Sequence, residues 1–356
     1  MSVRSPLAEI QPSRIAILKP SALGDIVHAL PVLTALRTRF PEAYITWVVN
    51  RGYESLLRGH PHLNETLPFD RGASRRGWWA GAFYFGQYLG MLRRQRFDLV
   101  VDLQGLLRSG LMARATGAVR RVGLGTAREG ATWFYTDIVL VREPGRLHAV
   151  DRYWQVARAL GSEGDPPPFV LPVAEEAGAW AEPRLRDLPR PWLMVGPGSR
   201  WPTKRWPPQH FAALIQRAQA QFGGSAIFVG GREEVDLSRN TRERLVSPSR
   251  DLTGQTTLPQ LVALLARADV MLANDTGPLH LAVALGRPVV APYTCTKVRL
   301  TGPYRADGAV ESTVWCQGSC RKRCGRMECM AELTPDRLWP LLHEVLQRWE
   351  RRGLSA

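Results

Sequence analysis

The sequence has no run of 18 apolar residues, so we expect no membrane-spanning helix in it. Residues 1–14 lack the apolar stretch of a secretory signal, which favours a cytoplasmic protein. Hydrophobic residues make up 45% and charged residues 22% of the 356 positions, without a low-complexity tract. This composition excludes disordered, collagen-like and rod-like coiled-coil chains, and the length predicts two domains.

Lysine is also scarce: of the 47 lysines and arginines, 43 are arginines. The formal net charge of +15 favours an anionic partner, such as nucleic acid, a phosphorylated substrate or an anionic membrane surface. The basic residues are spread along the chain and form no known nucleic-acid-binding module, so we expect no nucleic-acid partner. The four lysines are Lys19, Lys204, Lys297 and Lys322.

Two common nucleotide-binding motifs are missing. The P-loop pattern GxxxxGK[ST] does not occur, and the GPG at residues 196–198 does not continue into GxGxxG. The sequence therefore supports neither a P-loop NTPase nor a dinucleotide-dependent dehydrogenase.

Short apolar runs alternate with segments of helical spacing along most of the chain. This rhythm predicts an α/β protein built from parallel βαβ units. It is interrupted by Pro- and Gly-rich stretches at residues 161–169 and 182–191. We therefore expect two Rossmann-like domains, 1–175 and 176–356, the second ending with a helix over 334–352.

The loop after the first predicted strand is a candidate site. In open α/β sheets ligands bind beyond the carboxyl ends of the strands, and the small residues Ser21 and Gly24 let a substrate approach the backbone. Asp25 begins the following helix, where its carboxylate could accept a proton from a substrate hydroxyl. The alternative is that Asp25 is an ordinary helix cap. His28, one turn later, either orients Asp25 or packs in the core.

A second candidate follows a strand of the C-terminal half. Asp275 ends that strand, and Thr276 and Gly277 open a helix whose free N–H groups can hold a phosphate. His280 lies one turn further on and could donate a hydrogen bond to a phosphate or ribose oxygen. The alternative is simple helix capping by Asp275 or Thr276.

A third candidate is the loop at residues 196–207, which also follows a strand. It carries Ser199, Thr203 and Lys204. A lysine at a strand end can neutralise a departing diphosphate. The alternative is a solvated surface lysine.

Together these motifs resemble the ADP-heptose:lipopolysaccharide heptosyltransferases of glycosyltransferase family nine. The matching segments occur in order from residue 14 to about residue 293. They are KPSALGDIVHALP from Lys19 to Pro31, Asp102-Leu-Gln104-Gly105 with Ser109, His148-Ala-Val-Asp-Arg152, Lys204-Arg-Trp206-Pro207, and Asp275-Thr-Gly-Pro-Leu-His280.

The resemblance implies a GT-B fold: two Rossmann-like domains facing a cleft, with the C-terminal helix packing back. The C-terminal half would hold an ADP-sugar donor, and the N-terminal half a lipid-linked glycan acceptor. Asp25 would be the general base of an inverting transfer, and Lys204 would meet the leaving diphosphate. No cofactor and no catalytic metal are implied, and no metal-binding DxD motif lies in a suitable loop.

The resemblance also implies roles for further residues. The predicted donor-binding residues are Ser21, Gly24, Ser199, Thr203, Glu234, Asp275, Thr276, Gly277 and His280, with Glu234 preferred to Glu233 for the nucleoside. The predicted acceptor-binding residues are Asp102, Gln104 and Arg120. Two alternatives stay open: a GT-B glycosyltransferase that uses another nucleotide sugar, and a non-catalytic nucleotide-sugar-binding protein.

Residues 77–92 form an uncharged, aromatic-rich stretch with arginines on both sides: Arg71, Arg75 and Arg76 before it, and Arg93, Arg94 and Arg96 after it. The stretch is too short to span a bilayer. Its composition suits the headgroup region of an anionic membrane, which predicts a peripheral enzyme on the inner face of the inner membrane. The alternative is a buried aromatic helix.

Four of the five cysteines lie within 14 residues: Cys316, Cys320, Cys324 and Cys329. Their spacing is not the usual CxxC pair of zinc sites. The first three, four residues apart, would share one face if this segment were helical. A structural zinc ion is one interpretation, and free thiols or local disulfides are the other.

Overall fold

In a computed structural model, the structure describes residues 6–72 and 77–353. The chain forms two compact units, Met1–Pro172 and Val173–Ala356. The boundary lies three residues before the one predicted from the Pro- and Gly-rich composition. Each unit contains its own parallel six-stranded sheet.

Unit 1 has the strand order β3-β2-β1-β4-β5-β6, with every strand pair parallel. The strands are β1 Arg14–Leu18, β2 Tyr44–Asn50, β3 Glu65–Phe69, β4 Leu99–Asp102, β5 Arg120–Leu124 and β6 Asp137–Val139. The helices are α1 Leu23–Arg39, α2 Glu54–Leu57, α3 Trp78–Arg94, α4 Leu107–Thr116 and α5 Ala149–Ala159, with short 3-10 turns at Leu7–Glu9, Arg51–Tyr53 and Ala131–Phe134.

Unit 2 has the order β12-β11-β10-β7-β8-β9, again parallel throughout. The strands are β7 Trp192–Gly196, β8 Ser225–Phe228, β9 Ser249–Asp251, β10 Val270–Ala273, β11 Val289–Tyr293 and β12 Ala309–Glu311. The helices are α6 Glu175–Ala181, α7 Pro208–Phe222, α8 Val235–Arg242, α9 Leu258–Leu265, α10 Gly277–Ala284, α11 Val298–Thr301, α12 Glu328–Glu332 and α13 Pro335–Gly353. Further 3-10 turns occur at Glu182–Arg184, Pro202–Lys204 and Arg232–Glu234.

Both sheets have the doubly wound topology in which the strand order reverses beside the first strand. The reversal lies between β1 and β4 in unit 1, and between β7 and β10 in unit 2. Loops leaving neighbouring strands diverge at such a point and leave a crevice at the carboxyl ends. The topology therefore places one candidate binding crevice in each unit.

The central strands are continuous apolar runs because helices cover both faces of a parallel sheet. In β1 the four residues Ile15 to Leu18 have no exposed surface, and the same is true of β10. The C-terminal helix α13 contributes Leu338, Leu342 and Leu346 to the core of unit 2, each fully buried. Their spacing of four residues places them on one face of the helix, so α13 packs within its own unit.

Helix α3 forms over the predicted aromatic stretch but is buried only in its second half. Tyr88 and Leu92 are 5% and 0% exposed, whereas Trp78, Trp79 and Phe83 are 72%, 78% and 69% exposed. The alternative of a buried aromatic helix is therefore wrong for its first half. Arg75 and Arg76 lie outside the described residues. Within the described residues, no helix has both the length and the apolar character needed to span a bilayer.

Candidate active site

Asp25 lies at the carboxyl end of β1, in the third position of helix α1. Its Oδ2 accepts a hydrogen bond from the backbone N–H of Ala22 at 3.0 Å, so it does cap the helix. A carboxylate offers about four lone-pair sites, and one capping bond does not exhaust them. The side chain is only partly buried. The capping and base interpretations are therefore compatible.

Lys19 directly follows β1 and is only 3% exposed. Its Nζ donates to the carbonyl oxygen of Leu103 at 3.1 Å and lies 4.8 Å from the centre of the Tyr153 ring. Burial alone would lower the pKa of Lys19, but Tyr153 and the carboxylates of Asp25 and Asp102 raise it above its usual value. Lys19 is thus a buried cation beside the predicted base.

His28 is also buried, at 3% exposure, on the core side of α1. Its ring packs edge-on against His148, with 5.0 Å between the centroids. His148 caps helix α5, because its Nδ1 accepts the N–H of Val150 at 3.2 Å. This position favours the packing interpretation of His28.

Gln104 reaches the loop of Asp25 from the loop that follows the neighbouring strand β4. Its Oε1 accepts the N–H of Ser21 at 3.3 Å. Ser21 Oγ in turn accepts a hydrogen bond from Arg71 at 3.1 Å. These three side chains, with Arg108 and Glu129, line a cavity of about 240 Å³. Two guanidinium groups beside one carboxylate make it suitable for a polar, anionic ligand.

Asp102 is buried and holds the backbone of the loop that carries Gln104. It is 1% exposed, and its Oδ1 accepts the N–H groups of Gln104 and Gly105 at 2.9 and 3.1 Å. Its Oδ2 accepts the hydroxyl of Tyr135 at 2.7 Å. Burial raises the pKa of Asp102, although these hydrogen bonds oppose the shift. The structure thus places Asp102 behind the cavity, where it shapes the loop that carries Gln104.

Arg120 is the first residue of β5, so it lies at the amino ends of the strands, whereas the cavity lies at their carboxyl ends. Its guanidinium pairs with Asp137 through two hydrogen bonds of 3.0 and 2.8 Å. The predicted acceptor-binding residues are therefore not brought together: Gln104 lines the cavity, Asp102 lies behind it, and Arg120 lies at the amino ends of the strands. Gly24 is the second residue of α1 and is partly exposed.

In unit 2, Asp275 is the centre of a polar cluster at the end of β10. Its Oδ2 receives hydrogen bonds from Lys204 Nζ and Thr296 Oγ1, both at 2.5 Å. Its Oδ1 lies 3.4 Å from the hydroxyl of Tyr293 and 3.5 Å from His280 Nε2. The motifs predicted Asp275, Lys204 and His280 to line one site, and the structure brings them into contact.

Burial by itself would raise the pKa of Asp275. The hydrogen bond from His280 and the charge of Lys204 outweigh that effect and hold the pKa well below its usual range. Asp275 is therefore ionised at neutral pH although its side chain is only 7% exposed. Lys204, at 16% side-chain exposure, is an ion-paired residue of the cluster, not a solvated surface lysine.

Ser199 and Thr203 are each 3% exposed and hold the loop after β7. Ser199 Oγ lies 3.5 Å from the carbonyl oxygen of Asp275. Thr203 Oγ1 donates to the carbonyl oxygen of Arg321 at 2.6 Å, which ties this loop to the cysteine-rich segment. Both side chains therefore position the loop that carries Lys204.

Glu234 lies against the same loop. A Cβ on Gly198 would be 2.1 Å from the Glu234 carboxyl group, so this close approach requires glycine at position 198. Glu234 Oε2 accepts the N–H of Gly231 at 2.8 Å, and burial raises the pKa of the carboxyl group. The neighbouring Glu233 is exposed, and Glu234 is the one of the pair that faces this crevice.

Thr276 and Gly277 lie at the amino end of helix α10. Thr276 is the extended cap residue, with a φ of −151°, and Gly277 is the first helical residue. Both are partly exposed beside the buried Asp275. Backbone N–H groups at this position have no helical carbonyl to bond, so they suit a phosphate oxygen.

The cysteine-rich segment is not helical between residues 316 and 324, so its first three cysteines do not share a helix face. Gly318 and Cys320 have φ values of +74° and +55°, which a right-handed helix does not accommodate. All the cysteines are free thiols. Among the described residues, no three Cys, His, Asp or Glu side chains are placed to hold a metal ion, so the zinc interpretation gains no support.

Several residues of these crevices escaped the sequence motifs. Thr296 and Tyr293 follow or end β11, Arg71 follows β3, and Arg108 is the second residue of α4. No spacing links them to Asp275 or Asp25 in the sequence. The position of Tyr293 at a strand end was the one available signal.

Comparison with known proteins gives matches that extend over residues of both units. The family described as Glycosyltransferase family 9 (heptosyltransferase) matches residues 87–331. Lipopolysaccharide heptosyltransferase 1 of Pseudomonas aeruginosa is 30% identical over 328 residues, which cover 87% of each chain.

Two solved structures share the fold. A family 9 glycosyl transferase from Veillonella parvula superposes with a TM-score of 0.84 at 22% identity, over 96% of this chain and 99% of that one. E. coli heptosyltransferase WaaC with ADP-2-deoxy-2-fluoro heptose gives a TM-score of 0.71 at 24% identity, over 93% and 99% of the chains. These likenesses confirm the predicted GT-B fold class with two Rossmann-like units.

Proposed function

Because the chain belongs to glycosyltransferase family 9, the heptosyltransferases, we propose that it transfers a heptose from ADP-heptose to a lipopolysaccharide-core acceptor. The observation that carries the proposal is the pair of chemical groups found where the strand order of each sheet reverses. Unit 1 presents the carboxylate of Asp25, and unit 2 presents a cationic, N–H-rich crevice around Lys204 and Thr276. A base and an anion site are the two things that such a transfer requires.

The donor diphosphate would bind at the end of β10. The N–H groups of Thr276 and Gly277 point from the amino end of α10, where the helix dipole favours negative charge. Lys204 is held beside them by Asp275. As the bond to the sugar breaks, charge develops on the diphosphate, and a fixed ammonium stabilises that charge more than it stabilises the ground state.

These groups supply the positive charge that a divalent cation supplies in other transferases. We therefore expect catalysis without an added metal. Glu234, packed against Gly198 at the neighbouring strand, would accept a hydrogen bond from the nucleoside.

Asp25 would remove the proton from the acceptor hydroxyl. The oxygen then forms a bond to the anomeric carbon on the side opposite to the diphosphate, and the bond from that carbon to the diphosphate breaks. One displacement of this kind inverts the anomeric configuration. The buried ammonium of Lys19 would add positive charge beneath the loop that carries Asp25.

The acceptor would enter the unit 1 cavity of about 240 Å³ beside Ser21 and Gln104. Arg71 and Arg108 at its rim suit the acidic groups of a charged glycan. This assignment uses Gln104 from the predicted acceptor set and replaces Arg120, whose guanidinium pairs with Asp137 at the other edge.

We also propose that the first half of α3 rests on an anionic membrane at the inner face of the inner membrane, where a lipid-linked acceptor is found. Trp78, Trp79 and Phe83 are exposed, and Arg93 and Arg94 end the same helix. Exposed aromatic rings favour the headgroup region, and guanidinium groups at the other end of the helix add attraction to an anionic surface. Sedimentation with phosphatidylglycerol vesicles should fall when Trp78 and Trp79 are changed to Ala. Equal sedimentation of that variant would reject the membrane contact.

The nucleotide is tested first by thermal stabilisation. A ligand at about 100 times its Kd stabilises the folded state by about 2.7 kcal/mol, so ADP should raise the unfolding temperature, and UDP and GDP should raise it less. A larger shift with UDP or GDP would favour a GT-B enzyme with another nucleotide sugar. Incubation of ADP-heptose with lipopolysaccharide-core acceptor should then give a heptosylated product by mass spectrometry. Binding of ADP-heptose without product would favour the non-catalytic alternative.

A further inference from the structure

A cavity of unit 2, separate from the polar cluster around Asp275, is lined by thiols. It has a volume of about 440 Å³, and its lining includes Cys316, Cys324 and Cys329. The three side chains are partly exposed. Cys320, the most exposed cysteine of the segment, does not line it. The mechanism proposed above uses none of these thiols.

The sulfur of Cys324 is in surroundings that favour a thiolate. The backbone N–H groups of Met327 and Arg326 donate hydrogen bonds to it. These bonds lower the pKa of the Cys324 thiol below its usual value, and the guanidinium of Arg321 adds to the effect. The thiolate is the nucleophilic form of cysteine, and the Cys324 side chain is partly exposed.

The other two thiols are close enough to influence each other. Burial raises the pKa of the Cys329 thiol, and the sulfurs of Cys316 and Cys324 contribute to that rise. Cys329 lies in the first turn of the short helix α12, five residues after Cys324. A reactive thiolate with a neighbouring neutral thiol is the usual arrangement of a redox-sensing pair.

The charge around the cavity selects the kind of reactant. Arg321, Arg323 and Arg326 line it, against the single carboxylate of Glu328. Such a rim repels a metal cation and attracts a molecule that carries carboxylates. A small disulfide with carboxylate groups, such as glutathione disulfide, matches this charge and brings its own oxidising bond.

We propose that this cavity is a thiol–disulfide exchange site at which Cys324 reacts with a small anionic disulfide. The Cys324 thiolate attacks one sulfur of glutathione disulfide, the S–S bond breaks, and one glutathione leaves as a thiolate that takes up a proton. Cys329 then loses its proton, attacks the Cys324 sulfur and releases the second glutathione. Two protein thiols are oxidised to one disulfide, and one glutathione disulfide is reduced to two thiols.

The segment from Cys316 to Cys324 is joined to the donor crevice. The N–H of Cys320 donates to the carbonyl oxygen of Cys295 at 2.7 Å, and the N–H of Gly318 donates to that of Thr294 at 3.2 Å. Thr203 holds the carbonyl oxygen of Arg321 at 2.6 Å. A disulfide that displaces this segment would disturb Thr296, which bonds Asp275. Oxidation should therefore weaken ADP binding, a consequence that rests on the proposed function.

The chemistry is tested on the full chain without any activity measurement. The reduced protein is incubated with glutathione disulfide, and thiols are mapped by non-reducing peptide mass spectrometry. We expect a disulfide within the cavity, and a mixed disulfide on Cys324 in the Cys329→Ser variant. Cys324→Ser should react at least about tenfold more slowly, whereas the control Cys320→Ser should react like the natural chain. High salt should slow glutathione disulfide but not the uncharged hydroxyethyl disulfide.

Modification at Cys320 before Cys324, or equal rates for Cys324→Ser and the natural chain, would overturn the proposal. Stoichiometric metal on these thiols in the purified protein would also overturn it. ADP affinity is then compared before and after oxidation, with recovery by dithiothreitol. If ADP binds the reduced chain, a Kd raised about tenfold on oxidation would establish the link to the donor crevice, and an unchanged Kd would remove it. Mapping of the thiols tests the exchange reaction even if ADP does not bind.

Discussion

Replacement of Lys204 by Met should destabilise unit 2, because it leaves the buried carboxylate of Asp275 without its ammonium partner. The two side chains are 16% and 7% exposed, and breaking a buried pair of this kind costs about 3–5 kcal/mol. Thr296, Tyr293 and His280 still surround Asp275, so we expect the lower end, about 3 kcal/mol. For a domain of this size that loss lowers the unfolding temperature by roughly 6–12 °C.

The converse change should cost less. In Asp275→Asn the ammonium of Lys204 can turn toward solvent, so a loss of about 1–2 kcal/mol is expected. The double variant Lys204→Met/Asp275→Asn should then lose less than the two single losses added together, by at least about 1 kcal/mol.

Calorimetry is the measurement, with the transition of unit 2 assigned in the natural chain as the one that ADP shifts. Asp236→Asn, which removes an exposed carboxylate paired with Arg239 at the surface of the same unit, is the control and should change stability by less than about 1 kcal/mol. Additive losses in the double variant, or a loss for Lys204→Met no larger than for the control, would refute the account of the polar cluster.

Three further outcomes are expected. The Nδ1 atom of His60 accepts the N–H of His62, its Nε2 atom contacts the Val170 carbonyl, and burial lowers the pKa of His60 to about 4. The free energy of unfolding of unit 1, measured with urea, should therefore fall by roughly 2–3 kcal/mol as the pH falls from 6.5 toward 4. The His60→Gln variant should not show this loss. Gly198→Ala should displace the Glu234 carboxyl and weaken ADP binding by about tenfold in calorimetric titration, whereas Gly145→Ala, with open space around the new Cβ, should not. Heptose transfer should persist within about twofold in EDTA, and recovery only with a divalent cation would contradict the charge assigned to Lys204.

The sign of the His60 effect follows from proton binding. The pKa in the folded protein lies below the ordinary value of 6.5, so the unfolded chain binds more protons between pH 6.5 and 4. Stability is therefore full above pH 6.5 and falls as the pH decreases. The same pH dependence in His60→Gln would show that another group is responsible.

The central strands could be predicted from the sequence because a parallel strand covered on both faces is a continuous apolar run. Arg14–Leu18 and Val270–Ala273 are of this kind. The edge strands Ser249–Asp251 and Ala309–Glu311 have three residues each, and no residue in either is fully buried. Too little of their surface is covered to leave a hydrophobic pattern, so the sequence did not reveal them.

The candidate site was predictable where a motif follows a central strand. Asp25, Asp275 and Lys204 occupy such positions, and the doubly wound topology places them beside the points where the strand order reverses. Arg120 begins its strand, and parallel strands carry their first residues to the amino ends, so the structure does not bring it to Gln104.

The contacts around Asp275 could not be predicted from the sequence. Thr296 and Tyr293 bond Asp275 across 21 and 18 residues of sequence, through a loop whose path depends on the whole sheet. The cysteine segment shows the same limit: its regular spacing is compatible with one helix face, but the left-handed residues Gly318 and Cys320 turn the chain instead.

The most direct test of the account is the reaction of Asp25→Asn. The amide keeps the shape of the side chain but cannot accept the acceptor proton as a base, so transfer of heptose should fall by about 10²- to 10⁴-fold. ADP binding by calorimetric titration should be unchanged, and Glu42→Gln, an exposed carboxylate of the same unit, should retain full activity. Transfer by Asp25→Asn at the natural rate would contradict the assignment of Asp25 as the base.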